Sequence, residues 1–102
     1  MIVWVIGLSG SGKTTLCNKV YNDVNSNSKP VILDGDVIRS IFENNKYDRK
    51  SRIKNAQLIS RISKLLDLQN FNVLCPILSF SETTREWNRK NIKKYYEIYI
   101  KT

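Results

Sequence analysis

The sequence predicts an α/β protein built on a parallel β-sheet with helices on both faces. Two observations carry that prediction. The stretch Gly7-Leu8-Ser9-Gly10-Ser11-Gly12-Lys13-Thr14 fits the phosphate-binding pattern G-x-x-x-x-G-K-[ST] at every fixed position, and it lies between an apolar run and a helical stretch. A second apolar run, Val31-Ile32-Leu33, follows one helix later. Strand, helix, strand at this spacing is a βαβ unit, whose two strands lie parallel in one sheet. With 102 residues there is room for one core, so residues 1–102 are read as a single domain.

Taken in order, Ile2–Ile6 is apolar without interruption, as a strand buried on both faces would be. Gly7, Gly10 and Gly12 permit backbone angles closed to other residues and let main-chain N–H groups converge on phosphate oxygens. The helix that follows adds partial positive charge at its start. Lys13 is placed to reach the β- and γ-phosphates, and the Thr14 hydroxyl to ligate Mg²⁺. Leu8, Ser9, Ser11 and Thr15 complete the expected ATP cradle. A glycine-rich turn with no ligand would explain the glycines but not the Lys-Thr pair in this context. The helix continues through about Tyr21, with Leu16 and Val20 on one side, and residues 22–30 form a polar loop closed by Pro30.

Val31–Leu33 reads as the second strand. Ligands of parallel sheets bind beyond the carboxyl ends of the strands, so Asp34 and Asp36 should emerge on the same edge as the glycine loop. For Asp34 a structural loop role and a ligand role are both open. Asp36 is expected to cap a short helix through Phe42, with Ile38, Ile41 and Phe42 as its apolar face. A longer helix follows from about Asp48 to Gln69, with Ile53, Ala56, Ile59, Ile62 and Leu66 as its stripe and Leu58 and Leu65 widening it. Its Arg and Lys residues lie off that stripe, most of them as a solvated face. Phe71–Leu78 reads as the third strand, which Pro76 should end or bulge because proline donates no ladder bond. Ser79-Phe80-Ser81 is a turn at the ligand edge, and Ser81 caps a helix through about Tyr95. Trp87 and Asn91 share one face of that helix, and Arg85 and Arg89 another. Tyr96–Ile100 alternates as a fourth strand.

Composition narrows the partners. An excess of 17 Lys+Arg over 9 Asp+Glu gives a net charge of +8, which suits an anionic ligand. The charge is spread along the chain, with no aromatic-basic recognition motif, so nucleic acid is not expected as a partner. The absence of His excludes His-based acid–base chemistry, and two cysteines without His argue against zinc. Cys75 reads as a small buried hydrophobe. A disulfide is disfavoured in the cytosol. No stretch resembles a signal peptide or is long enough to span a bilayer, so a soluble cytoplasmic protein with no membrane partner is expected.

The motifs GLSGSGKTT, Leu33-Asp34-Gly35-Asp36-x-x-Arg39, Arg52-x-x-Asn55 and Leu78-Ser79 together resemble adenylyl-sulfate kinase, over nearly the whole chain. The Asp-Gly-Asp-x-x-Arg segment after the second strand is the specific part. The resemblance implies a P-loop three-layer fold with strand order 2-3-1-4. It also implies transfer of the γ-phosphate of ATP to the 3′-hydroxyl of adenylyl sulfate, giving 3′-phosphoadenylyl sulfate. Under it, Asp36 sits beside Mg²⁺ and the acceptor hydroxyl as base or positioning group. Arg39, Arg52 and Asn55, with Asp34 and Leu78 beside them, hold the acceptor. Tyr47 occupies the place of a phenylalanine that stacks on the acceptor base. Ser79 matches a serine described as a phosphoserine intermediate; a turn or cap role at the ligand edge is the alternative.

The sequence departs from that family at Ser79-Phe80, where Ser-Pro is usual, and at Gln57 and Leu58, where two arginines are usual. The spacing from Asp36 to Tyr47 is one residue short. These departures bear on the acceptor more than on the donor, leaving a related kinase for another nucleotide-linked or sugar acceptor as the rival reading. Family members continue past the fourth strand into a basic lid, a fifth strand and an adenine-contacting loop. The chain is therefore expected to be C-terminally truncated, an inactive remnant being a further alternative. The edge so exposed leaves a homodimer open.

Overall fold

A computed structural model describes residues 1–8, 10–44, 46, 48–78 and 81–100. The first apolar run forms β1 (Ile2–Ile6), and the glycine loop leads into α1 (Lys13–Asp23). They are followed by β2 (Val31–Ile32), α2 (Gly35–Ile41), α3 (Arg49–Leu68), β3 (Val73–Ile77), α4 (Glu82–Asn91) and β4 (Tyr95–Tyr99). The strands form one sheet in the order β2-β3-β1-β4, every pair parallel. The predicted α/β class, strand number and strand order are all present.

Alternation along β1 divides the interior. Ile2, Trp4 and Ile6, with Val73, Cys75 and Ile77 of β3, face α2, α3 and α4, where Ile38, Ala56, Ile59 and Ile92 close the larger core. Val3 and Val5 face the other way onto Cys17 and Leu16 of α1, making a smaller second core. Helices thus lie on both faces, in three layers. Trp4 is the centrepiece: it is fully buried, its Nε1 donates to Ser63 Oγ at 3.4 Å, and its ring meets Tyr95 edge-on at 6.1 Å.

Several local expectations are corrected. Pro76 neither ends nor bulges β3; it pairs in register with Val5. Residues 73, 75 and 77 turn their N–H groups toward β1, as Val73 N–H to Met1 O at 2.8 Å shows, while the Leu74 and Pro76 positions face β2. β2 has ended at Ile32, so the missing donor at Pro76 falls where no ladder partner stands. Asp34, not Asp36, caps α2: its side chain accepts the Asp36 N–H at 2.8 Å, and Asp36 lies in the first turn. On α2 only Ile38 of the expected apolar face is buried, for Ile41 and Phe42 are 64% and 56% exposed. Leu65 is likewise exposed, as is Val20 on α1, where Cys17 takes the buried place. α4 stops at Asn91, short of the expected Tyr95, which instead begins β4. Ser81 caps α4 as expected, accepting the Thr84 N–H at 3.2 Å.

The basic residues of α4 are engaged within the protein. Arg85 and Arg89 both pair with Glu82, and Arg89 also reaches Glu97 of β4 at 2.7 Å. The hydroxyls of Tyr95 and Tyr99 donate to Glu97 at 2.7 and 2.8 Å. Burial alone would raise the Glu97 carboxyl, but these donors outweigh it and hold it below its ordinary range. Arg61 of α3, which reads as a solvated cation, stacks on Trp87 at 3.7 Å.

Cys17 and Cys75 are free thiols, buried in the two different cores, so no disulfide joins them. Burial, with the nearby Asp34 charge, pushes the Cys17 thiol up to about 11, and burial pushes Cys75 up to about 12, both from 9.0. Burial also raises the Tyr95 hydroxyl. The folded chain therefore keeps protons that the unfolded chain releases, so these groups stabilise fully below pH 9.0 and progressively less above it. Urea midpoints across the alkaline range should fall from about pH 9 upward, with a shallower fall in Cys17→Ala. A midpoint that stays level there would contradict the burial of both thiols.

Candidate active site

The carboxyl ends of β1, β2 and β3 open on one cleft of about 250 Å³. Its walls are Gly10, Lys13 and Thr14 from the glycine loop and α1, Asp34 to Asp36 and Arg39 from α2, and Arg52, Asn55 and Ala56 from α3. Pro76, Ile77 and Leu78 close it at the end of β3. The rule that ligands bind beyond the carboxyl ends of parallel strands thus brings donor-side and acceptor-side candidates together.

On the donor side, Gly10 and Gly12 have φ of +78° and +96°, the left-handed region that favours glycine. Gly7 is tight for space instead: a Cβ there would lie 3.3 Å from Ile100 O, and Ser11 Oγ, at 2.5 Å, would have to turn away. The first helical bond of α1 runs from Leu16 N–H to Gly12 O at 2.9 Å, so the amides of Lys13, Thr14 and Thr15 precede it and remain available at the helix start. The Ser11 amide differs, since it donates within the loop to Leu8 O at 3.1 Å. The Lys13 ammonium donates to Gly7 O at 2.8 Å and to Leu8 O at 2.9 Å, bracing the loop from inside. Ser9 lies outside the described residues.

On the acceptor side, Arg39 is 7% exposed and its guanidinium donates to Lys46 O at 2.6 Å. Asn55 is also buried, donating to Gly35 O at 3.1 Å. Asn44, beyond α2, donates to Ser51 O at 3.3 Å, tying the connection to α3. Asp34 serves the α2 cap while lining the cleft. Arg52 and Leu78 line it as well. Tyr47 and Ser79 lie outside the described residues. The residue-by-residue reading missed Gly35, Ala56, Pro76 and Ile77 as walls; the strand-end position of Pro76 was the available signal.

The donor set suits a hard cation shared with phosphate oxygens. Thr14, Asp34 and Asp36 offer only oxygen ligands, and among the described residues no cluster of three or more His, Cys, Asp or Glu could hold an ion by itself. Among the described residues no helix is long and apolar enough to cross a membrane.

The chain is similar to known kinases. A cytidine diphosphoramidate kinase of Campylobacter jejuni is 40% identical over 100 residues, covering 97% of this chain and 59% of that protein. A probable adenylyl-sulfate kinase of Archaeoglobus fulgidus is 31% identical, covering 96% of this chain and 64% of that protein. The chain thus spans about three-fifths of the length of these relatives. The structure of the Mycobacterium tuberculosis APS kinase in complex with AMPPNP and APS superposes with a TM-score of 0.82 at 27% identity, covering 96% of this chain and 60% of that one. The family model of adenylylsulphate kinase matches residues 1–102. On the match of the whole chain and the kinase relatives at its side, the chain belongs to the adenylylsulphate kinase family.

Proposed function

We propose that this chain carries the phosphate and acceptor sites of a kinase that moves the γ-phosphoryl group of Mg·ATP to the 3′-hydroxyl of adenylyl sulfate. The observation that supports it is the shared cleft, whose walls include Lys13 and Thr14 together with Asp36, Arg39 and Arg52. In this reading the amides of the glycine loop and Lys13 hold the β- and γ-phosphates, and Thr14 holds Mg²⁺, which neutralises developing charge when bound. Arg39 and Arg52 hold the anionic end of the acceptor, and Tyr47 stacks on its base. Asp36 orients the acceptor hydroxyl and takes its proton as the new O–P bond forms. The bond from the γ-phosphorus to the β–γ bridging oxygen breaks, and ADP leaves. Direct in-line transfer needs no covalent step on the protein, so this reading requires no phosphoserine intermediate.

A second acceptor has specific support. The relative from Campylobacter jejuni, at 40% identity, is a kinase of cytidine diphosphoramidate. Gln57 and Leu58, where arginines are usual, also depart on the acceptor side. The test is phosphate transfer from γ-labelled ATP with adenylyl sulfate or cytidine diphosphoramidate as the acceptor. Label on adenylyl sulfate alone supports the first acceptor, and label on the cytidine compound alone replaces it with the second. Label on neither overturns the kinase reading for this chain.

A further inference from the structure

The charge of α3 is one-sided. From Arg49 to Leu66 it carries Arg49, Lys50, Arg52, Lys54, Arg61 and Lys64 and no acidic residue. The first four of these fall within two turns of the helix start, which is itself positive, and Lys50 precedes Lys54 by four residues, the spacing at which like charges repel. Arg52 lines the cleft. Arg49, Lys50 and Lys54 instead line a second groove of about 610 Å³ with Ile53 and Gln57, and the two sets of walls share no residue. Ile53 is half-buried and the other four are exposed. Among the described residues the side chains of Arg49, Lys50 and Lys54 have no ion-pair partner, whereas on α4 Arg85 and Arg89 pair with Glu82, and Arg89 also with Glu97. The groove therefore joins an apolar floor, made by Ile53 and the methylene stems beside it, to a rim of unmatched cations.

We propose that this groove docks an acidic segment of a second protein, with an apolar side chain set against Ile53 and carboxylates meeting Arg49, Lys50 and Lys54. Charge complementarity selects that occupant. A second copy of the chain, packed on a two-fold axis, would bring the same three cations against themselves. Nucleic acid would find charge but no ring for its bases to stack on, because among the described residues no aromatic side chain lines the groove. A docked carboxylate also supplies the negative charge that the first turn of α3 lacks. The proposal is separate from the kinase reading, since it uses none of the residues of the cleft.

The test measures fluorescence anisotropy with two short labelled peptides of equal Glu content, one with Leu at every fourth position and the other with Ser there. A single-stranded oligonucleotide of equal charge is the third probe. Wild-type chain should bind the Glu-Leu peptide about tenfold or more tightly than the Glu-Ser peptide. That affinity should fall by about tenfold as salt rises from about 50 to about 200 mM. Lys50→Glu combined with Lys54→Glu should weaken it by about tenfold or more. Ile53→Ser should weaken it by about tenfold while leaving the salt dependence in place. Circular dichroism checks the fold, and if Ile53→Ser is unfolded the exposed lysine pair decides. Absence of peptide binding, equal affinity for the two peptides, or binding that survives the lysine reversals would each overturn the proposal. So would tighter binding of the oligonucleotide that the same reversals abolish, or a dimer in sedimentation that they dissociate.

Discussion

Replacing Lys13 with alanine is expected to slow phosphoryl transfer by roughly 10²–10³-fold, the usual loss when one positioned donor to developing charge is removed. The side chain has two tasks that alanine cannot share. It brings a full positive charge to the cleft wall, and it braces the loop through Gly7 O and Leu8 O at 2.8 and 2.9 Å. The sheet should survive, because Lys13 lies at the start of α1 and contributes nothing to either core. Circular dichroism and the urea midpoint check the fold, and label transfer from ATP checks the chemistry. A folded variant that transfers at the wild-type rate would show that the phosphate site lies elsewhere.

Trp4→Ala should produce the largest loss of stability, about 3–5 kcal/mol. Trp4 is fully buried at the middle of β1, between the neighbouring strands β3 and β4, and anchors α3 through Ser63 and β4 through Tyr95. Domains of this size are commonly stable by only about 5–15 kcal/mol, so the variant could lose most of its margin. The melting temperature should fall by about 12 °C or more. Trp87, stacked under Arg61 on the α3–α4 surface and only partly buried, should matter much less. Equal losses at the two tryptophans would mean that the sheet interior is not the principal core.

Much of this architecture is written in short-range chemistry. The glycine loop, the uninterrupted apolar β1, the βαβ spacing and the Ser81 cap all depend on residues within a few positions of one another. They predict the parallel sheet and the edge on which Lys13, Thr14 and Asp36 gather. The Asp-Gly-Asp segment that follows β2 lines the same cleft as Lys13 and Thr14.

The long-range choices had no such signal. Pro76 looked like a strand breaker because its own neighbours cannot tell that β2, 44 residues earlier, stops at Ile32. Either Asp34 or Asp36 satisfies the chemistry of a cap, and the descent of the chain from β2 selected Asp34. Ile41 and Phe42 belong to an apolar pattern on α2, yet the helix meets α3 and β3 only along the side of Ile38. Asn55 lines the cleft, and the crossing of α3 over the start of α2 also brings its Nδ2 to Gly35 O, a contact that its local sequence does not signal. By itself, then, the sequence determined the sheet, the glycine loop and the strand edge on which the cleft opens. Only the tertiary structure decided which side chains face that edge and which support the backbone beneath it. Local spacing sets the direction of a side chain, whereas its partner is set by chain segments that topology brings alongside.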